Sequence, residues 1–179
     1  MPAAQFAYRK GPGRTDALLT ISHHLQNSLY AGMESHVVQL DFNTAFDRVN
    51  HSGLLFKLKS IGVDGSVLCI YTEFLSDQRQ RVMVDGAASV WILIITGVPQ
   101  GNVMGPPPFI LYSSEMFELV DNRLFANVDD STLMAVVRKP ADRPDVAVSL
   151  NMDLARIQEW CNYWCMILNP DQIKALVVS

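Results

Sequence analysis

The sequence predicts an α+β domain, an antiparallel sheet backed by helices. Two segments have the signature of β-hairpins. Residues 79–84 and 89–96 flank an Asp85-Gly86 turn, and residues 124–128 and 132–137 flank a tip at Asp129-Asp130. After the second hairpin, Val146, Leu150, Leu154, Ile157, Cys161 and Trp164 recur at spacings of three and four, which marks one face of a long amphipathic helix. Helices and strands are otherwise mixed in order, with no internal repeat and no low-complexity stretch.

The remaining elements follow from local signals. Residues 5–14 form a basic, glycine-rich loop containing Arg9, Lys10 and Arg14. Thr15 is the expected N-cap of a helix running to about Tyr30 and stopped at Gly32. Residues 37–42 read as a strand. Alternation places Val37, Gln39 and Asp41 on its more polar face and Val38, Leu40 and Phe42 on its core face. A short helical patch at 44–49 precedes helices at about 52–60 and 66–75, with Gly62 ending the first. A loop at 97–105 leads into a helix ending near Val120. Pro106, Pro107 and Pro108 are expected to delay its start by about two residues. Residues 140–144 break the chain before the long helix, and 166–168 and 175–178 read as closing strands.

Size and composition narrow the function. The chain has 179 residues and 49% hydrophobic content, enough for one domain, or most of one, with a real core. Its net charge of −4 is unusual for a nucleic-acid binder. The charge is uneven: residues 1–81 carry eight Lys/Arg against seven Asp/Glu, and residues 82–179 carry six against eleven. Any surface that meets a polyanion is therefore expected in the first half. Three cysteines without a signal-peptide pattern point to a reducing compartment. Cys161 and Cys165 lack a third ligand nearby and read as buried small hydrophobes. The longest apolar run, residues 90–95, is too short to span a membrane.

Two acidic clusters end strand-like runs far apart in the chain, Asp41 in one and Asp129-Asp130 in the other. A carboxylate at a strand end costs stability unless something cationic neutralises it. If the clusters converge, they form a divalent-metal site of the kind that runs phosphoryl and nucleotidyl transfer. Taken singly, Asp129-Asp130 reads more readily as a solvated turn, and Asp41 as a salt-bridged or solvated strand end. Alternation sends Asp129 and Asp130 in different directions. Asp41 and Asp129 are therefore the expected bridging ligands and Asp130 the lesser one.

Read together, four segments resemble reverse transcriptases of non-LTR (LINE-type, jockey-like) retrotransposons. Residues 37–51, VVQLDFNTAFDRVNH, resemble the first palm motif, and residues 97–109, GVPQGNVMGPPPF, the glycine-rich palm motif. Residues 125–130 sit where the family has an aromatic-Ala-Asp-Asp hairpin. Residues 5–17, with Tyr8-Arg9 and the run from Gly13 to Ala17, resemble the start of the fingers. Order and spacing match across nearly the whole chain.

The resemblance implies a polymerase palm with a ferredoxin-like antiparallel sheet, plus partial fingers. Residues 1–36 would be the partial fingers and 37–179 the palm, with fingers-like helices and a hairpin at about 52–96. It implies RNA-directed DNA synthesis with two Mg²⁺ ions (Mn²⁺ as a substitute), on an RNA template with a DNA primer and dNTPs. Asp41, Asp129 and Asp130 would be the metal-binding carboxylates, with the Phe42 backbone carbonyl as an added ligand. Phe46 would be the steric gate against a ribose 2′-hydroxyl, and Gln100 and Gly101 would lie at the nascent base pair. Arg9, Lys10 and Arg14 would contact nucleic acid or triphosphate, and Arg79 and Arg81 the template more weakly. The rest of the polyprotein, an endonuclease and a thumb, is expected from the family but has no counterpart in residues 1–179, which fits a fragment or decayed copy of a mobile-element open reading frame. Cytoplasmic and nuclear locations follow from the family alone.

Several positions depart from the family pattern. Asn127 replaces the usual aromatic, and Val128 is a mild change. The triple proline interrupts a Gly-Pro-Leu-Leu-Phe pattern, and Leu93 and Ile94 stand where the hairpin often carries Pro. Gln172 occupies the place of a Lys that would protonate pyrophosphate, which Gln cannot do. Lys174 is expected to point to the opposite side. The competing expectation is thus a degenerate palm that binds metal or nucleic acid without efficient synthesis.

Overall fold

The structure, a computed structural model, describes residues 4–7, 13–99 and 104–179. Along the chain lie α1 (Arg14–Tyr30), β1 (Glu34–Leu40), α2 (His51–Ser60), α3 (Gly65–Leu75) and the short strands β2 (Arg79–Gln80), β3 (Met83–Val84), β4 (Ala87–Ala88) and β5 (Ile92–Leu93). Then come α4 (Pro106–Ser113), α5 (Met116–Leu119), β6 (Arg123–Asn127), β7 (Asp130–Val137), α6 (Arg143–Trp164) and β8 (Lys174–Val178). Two compact units result: Met1–Ala45 with Ser113–Ser179, and Phe46–Tyr112.

The first unit is built on a four-stranded sheet in the order β6-β7-β1-β8, with every neighbour antiparallel. Numbered among themselves these strands run 2-3-1-4, which is the ferredoxin-like arrangement. Register sets the faces. Val37 pairs with Met134, Gln39 with both Thr132 and Lys174, Phe125 with Thr132, and Asn127 with Asp130. Paired residues share a face, so Val37, Met134, Phe125 and Gln39 all point one way.

That face is not simply polar. Val37, Phe125 and Met134 are buried there with Phe6 and Ala17, and Ile21 and Leu25 of α1 pack against them. Removing a side chain of this size from water stabilises by about 1.5–3 kcal/mol. The opposite face is covered by α6, where Leu150 and Leu154 stand beside His36, Val38 and Ala175. Helices thus flank both faces, and Asp41 follows a strand that is packed on both sides.

Helix ends differ from expectation in instructive ways. The N-cap of α1 is Gly13, not Thr15; its N–H donates to the Asp16 carboxylate at 2.7 Å. A carboxylate three residues into the helix satisfies a donor the helix itself leaves open. Gly32 ends α1 as anticipated, at φ +67, with its N–H on the Leu29 carbonyl. The triple proline does not delay α4, which begins at Pro106. First-turn N–H groups have no intrahelical acceptor, so proline loses nothing there. The helix instead breaks after Ser113 and resumes as α5.

Residues 166–168 form no strand. They contribute one isolated bridge, Phe42 to Leu168, and Asn43 N–H donates to the Ile167 carbonyl at 2.8 Å. Of the two cysteines on α6, Cys161 is buried, and burial pushes its thiol up to about 12. Cys165 is exposed, contrary to expectation, and ends α6 at φ +60. Trp160 is buried and packs edge-on against Phe42, while Tyr163 is exposed.

A fully buried carboxylate, Asp153 of α6, fixes the start of β6. It accepts from the Asp121 and Asn122 N–H groups and the Asn122 amide, and pairs with Arg156. Burial raises its pKa, but these donors outweigh burial and hold the carboxyl below its usual range.

In the second unit, Asn50 caps α2 by accepting from the Gly53 N–H at 2.8 Å. The buried Lys57 donates to the Tyr112 carbonyl and lies over the Tyr112 ring. The expected hairpin is present, but its pairing is split into β2 with β5 and β3 with β4. Asp85 and Gly86 both take positive φ, +48 and +81, as a two-residue hairpin turn requires.

Candidate active site

The sheet brings the two acidic clusters to one end of the first unit. Asp41 directly follows β1, while Asp129 and Asp130 stand where β6 turns into β7. Asn127 pairs with Asp130, so Val128 and Asp129 are the two turn residues. Val128 sits at φ +65. Left-handed backbone strains a residue bearing a Cβ by about 1–2 kcal/mol.

Asp41 is tied to the segment after α6. Its backbone carbonyl accepts from the Asn169 N–H at 2.8 Å, and its carboxylate from the Asn169 amide at 3.4 Å. Asp129 is half-buried. Burial raises its carboxyl pKa, the charges of Asp130 and Asp41 push the same way, and its own and the Asp130 N–H groups oppose the rise. Asp130 is exposed and faces Arg14 at 3.8 Å.

Beside these groups lies an open cleft of about 450 Å³ on the α1 side of the sheet. Arg14 and Lys174 bring cations to it, and Asp41, Asp130 and Asp171 bring anions. Gln172 and Lys174 line the same cleft, contrary to the expectation that they diverge. Gln172 stands in the turn closed by its N–H on the Asn169 carbonyl, just before β8 starts at Lys174, so strand alternation does not relate the two.

Phe46 belongs to the second unit, in a short 3₁₀ turn at Ala45–Arg48. Its ring stacks on Phe109 at 4.7 Å between centroids, and its carbonyl accepts from the Val98 N–H. Gly97 lies behind it at φ +94, where an added Cβ would meet the Asp47 Cα and carbonyl oxygen at 3.0 Å. His51 holds the Gly97 carbonyl at 2.7 Å. Arg79 and Arg81 are exposed on the second unit's hairpin, and Arg81 lies over the Trp91 ring at 4.6 Å. Arg9, Lys10, Gln100 and Gly101 lie outside the described residues.

The sequence assigned no role to two residues near this site, Asn169 and Gln5, although both lie in segments that resemble the family. Asn169 follows an expected strand, and its contact with Asp41 spans 128 positions. Gln5 has no periodic signal at all. It opens the segment 5–17 that resembles the start of the fingers.

A divalent cation with oxygen ligands suits the chemistry of this donor set. Burial and two like charges oppose ionisation of Asp129, and a bound dication offsets both. Among the described residues, no group of three or more His, Cys, Asp or Glu side chains is arranged to hold a metal. The fit therefore rests on Asp41 and Asp129, with Asp130 turned toward Arg14.

A ferredoxin-like sheet with carboxylates at the mouth of a cleft defines a palm-type domain. The chain belongs to the reverse transcriptase (RNA-dependent DNA polymerase) family, whose model matches residues 1–178. Among its relatives are jockey-like and other non-LTR mobile-element proteins. It is 31% identical over 183 residues to the "RNA-directed DNA polymerase from mobile element jockey" of Drosophila melanogaster, which covers 96% of this chain. It is 26% identical over 179 residues to the "Probable RNA-directed DNA polymerase from transposon BS" of the same species. The chain spans 19% of the length of each. In fold it resembles a telomerase from Candida albicans, with a TM-score of 0.65 at 15% identity, covering 97% of this chain and 32% of that one. No helix among the described residues is long and apolar enough to cross a membrane.

Proposed function

We propose that this chain is the fingers-and-palm part of an RNA-directed DNA polymerase, adding deoxynucleotides to a primer 3′-end on an RNA template. One observation carries the proposal: the register pairs Leu40 with Ser131, which brings Asp41 to the same end of the sheet as the Asp129-Asp130 turn, with an open cleft alongside. Asp41, Asp129 and the Phe42 carbonyl would hold two Mg²⁺ ions, with Asp130 as a lesser ligand. When bound, such ions activate the primer hydroxyl and stabilise the leaving pyrophosphate. Asn169 orients the Asp41 carboxylate through its amide. Arg14, at the cleft wall, meets phosphate oxygens, and Lys174 supplies a cation in the same cleft as Gln172.

Phe46, held by Phe109, is the proposed gate against ribonucleotides, with Gln100 and Gly101 at the nascent base pair. Arg9, Lys10, Arg79 and Arg81 are proposed nucleic-acid contacts. The first unit serves as palm and the Phe46–Tyr112 unit as fingers-like structure. The remaining polyprotein, with endonuclease and thumb, and action in cytoplasm and nucleus belong to the same proposal. The test is primer extension by the purified chain on a primed RNA template with dNTPs and Mg²⁺. Template-dependent extension is expected, falling to background in Asp129→Ala/Asp130→Ala, which removes both carboxylates of the turn. Extension equal to that control would leave only a degenerate palm.

A further inference from the structure

The strand-like segment at residues 4–7 lies alongside β6. Phe6 N–H donates to the Ala126 carbonyl at 2.9 Å, and Ala126 N–H to the Ala4 carbonyl at 3.0 Å. Gln5 forms a parallel bridge with Ala126 and is only 1% exposed. Its side-chain oxygen accepts from two backbone N–H groups, Ala7 at 3.1 Å and Val128 at 3.3 Å. The second contact reaches across 123 positions to the residue immediately before Asp129.

Val128 gives that contact its weight. The residue holds a left-handed conformation that valine disfavours, and such a turn persists only where its surroundings over-determine it. Next to it, Asp129 is half-buried at the second position of the turn. A turn free to relax would carry Asp129 away from Asp41. Gln5 is neutral, so it fixes the turn without altering the charge around the carboxylates. Its backbone is locked into β6 on both sides.

We propose that Gln5 is a positioning residue: its buried amide oxygen clamps the Val128 N–H and so holds Asp129 in register with Asp41 for divalent-cation binding. This rests on the reading of Asp41 and Asp129 as metal ligands. One variant separates the clamp from simple packing: Gln5→Met keeps the volume and removes the acceptor. The probe is Mn²⁺, titrated against the full chain and followed by electron paramagnetic resonance. Mn²⁺ affinity is expected to fall about 10-fold in Gln5→Met, the size seen when the group orienting a ligand is lost. Equal affinity in Gln5→Met and wild type, with binding that still requires Asp129, overturns the clamp and leaves the metal site standing. Absence of Asp129-dependent binding in the wild type overturns the metal reading instead.

Amide hydrogen exchange tests the clamp apart from metal and variant folding. The wild-type Val128 N–H is expected to be protected comparably to the β6–β7 ladder. Exchange at the rate of an open turn overturns the proposal.

Discussion

Asp129 shows a conflict that a single residue can carry. Its folded-state pKa is raised, first by burial and then by Asp130 and Asp41. A raised pKa means that the fold favours the neutral carboxyl. Stability from this group is therefore fully present below the ordinary aspartate pKa of about 3.9 and is lost as pH rises through the raised value. The metal-free chain thus bears a penalty at neutral pH that Asp129→Asn removes. We expect this variant to melt roughly 1–3 °C higher than wild type at pH 7, a figure reduced for the group's partial exposure, and to match it below about pH 3. A lower melting temperature at pH 7 would show that Asp129 is not held against its charge. At this scale the sequence was informative about which residues to watch and poor on their strain. Asp41, Asp129 and Asp130 stood out, whereas the left-handed backbone of Val128 is invisible in a residue whose side chain predicts extended structure.

Elements were legible where a local rule decides them. The Asp85-Gly86 hairpin, the Gly32 stop and the long α6 follow from turn chemistry, left-handed glycine and helical period. Elements governed by distant contacts were misread. Residues 166–168 look like a strand, yet their partners along 41–43 make only one bridge with flanking backbone bonds. The triple proline looks like an obstacle until it falls in the first helical turn. The 3₁₀ turn bearing Phe46 is likewise fixed from outside, by Val98 N–H, the Phe109 ring and the close approach of Gly97 to Asp47. Gly97→Ala forces a Cβ into that backbone at a positive φ. It should cost about 2 kcal/mol in urea denaturation. In an active chain it should also relax discrimination against ribonucleotides, as Phe46→Ala would. An unchanged denaturation midpoint would mean that the turn is not braced by Gly97.

At the scale of the whole chain, the fold class was legible because two hairpins and one long helix favour an antiparallel sheet backed by helices. Strand order was not. Pairing of β1 with both β7 and β8 depends on register across more than 90 positions. The placement of α1 over the face that carries Asp41 was hidden for the same reason. That placement turns a polar strand face into a walled cleft, with Arg14 on one side and Lys174 on the other. Family membership rests on nearly the full length of the chain. Function in this chain rests on whether Asp41 and Asp129 act together. Mn²⁺ titration of wild type against Asp41→Asn, with folding checked by circular dichroism, measures that directly. Saturable binding that weakens at least 10-fold in Asp41→Asn is the predicted result. Binding of equal strength in both proteins, or none in either, would contradict the account.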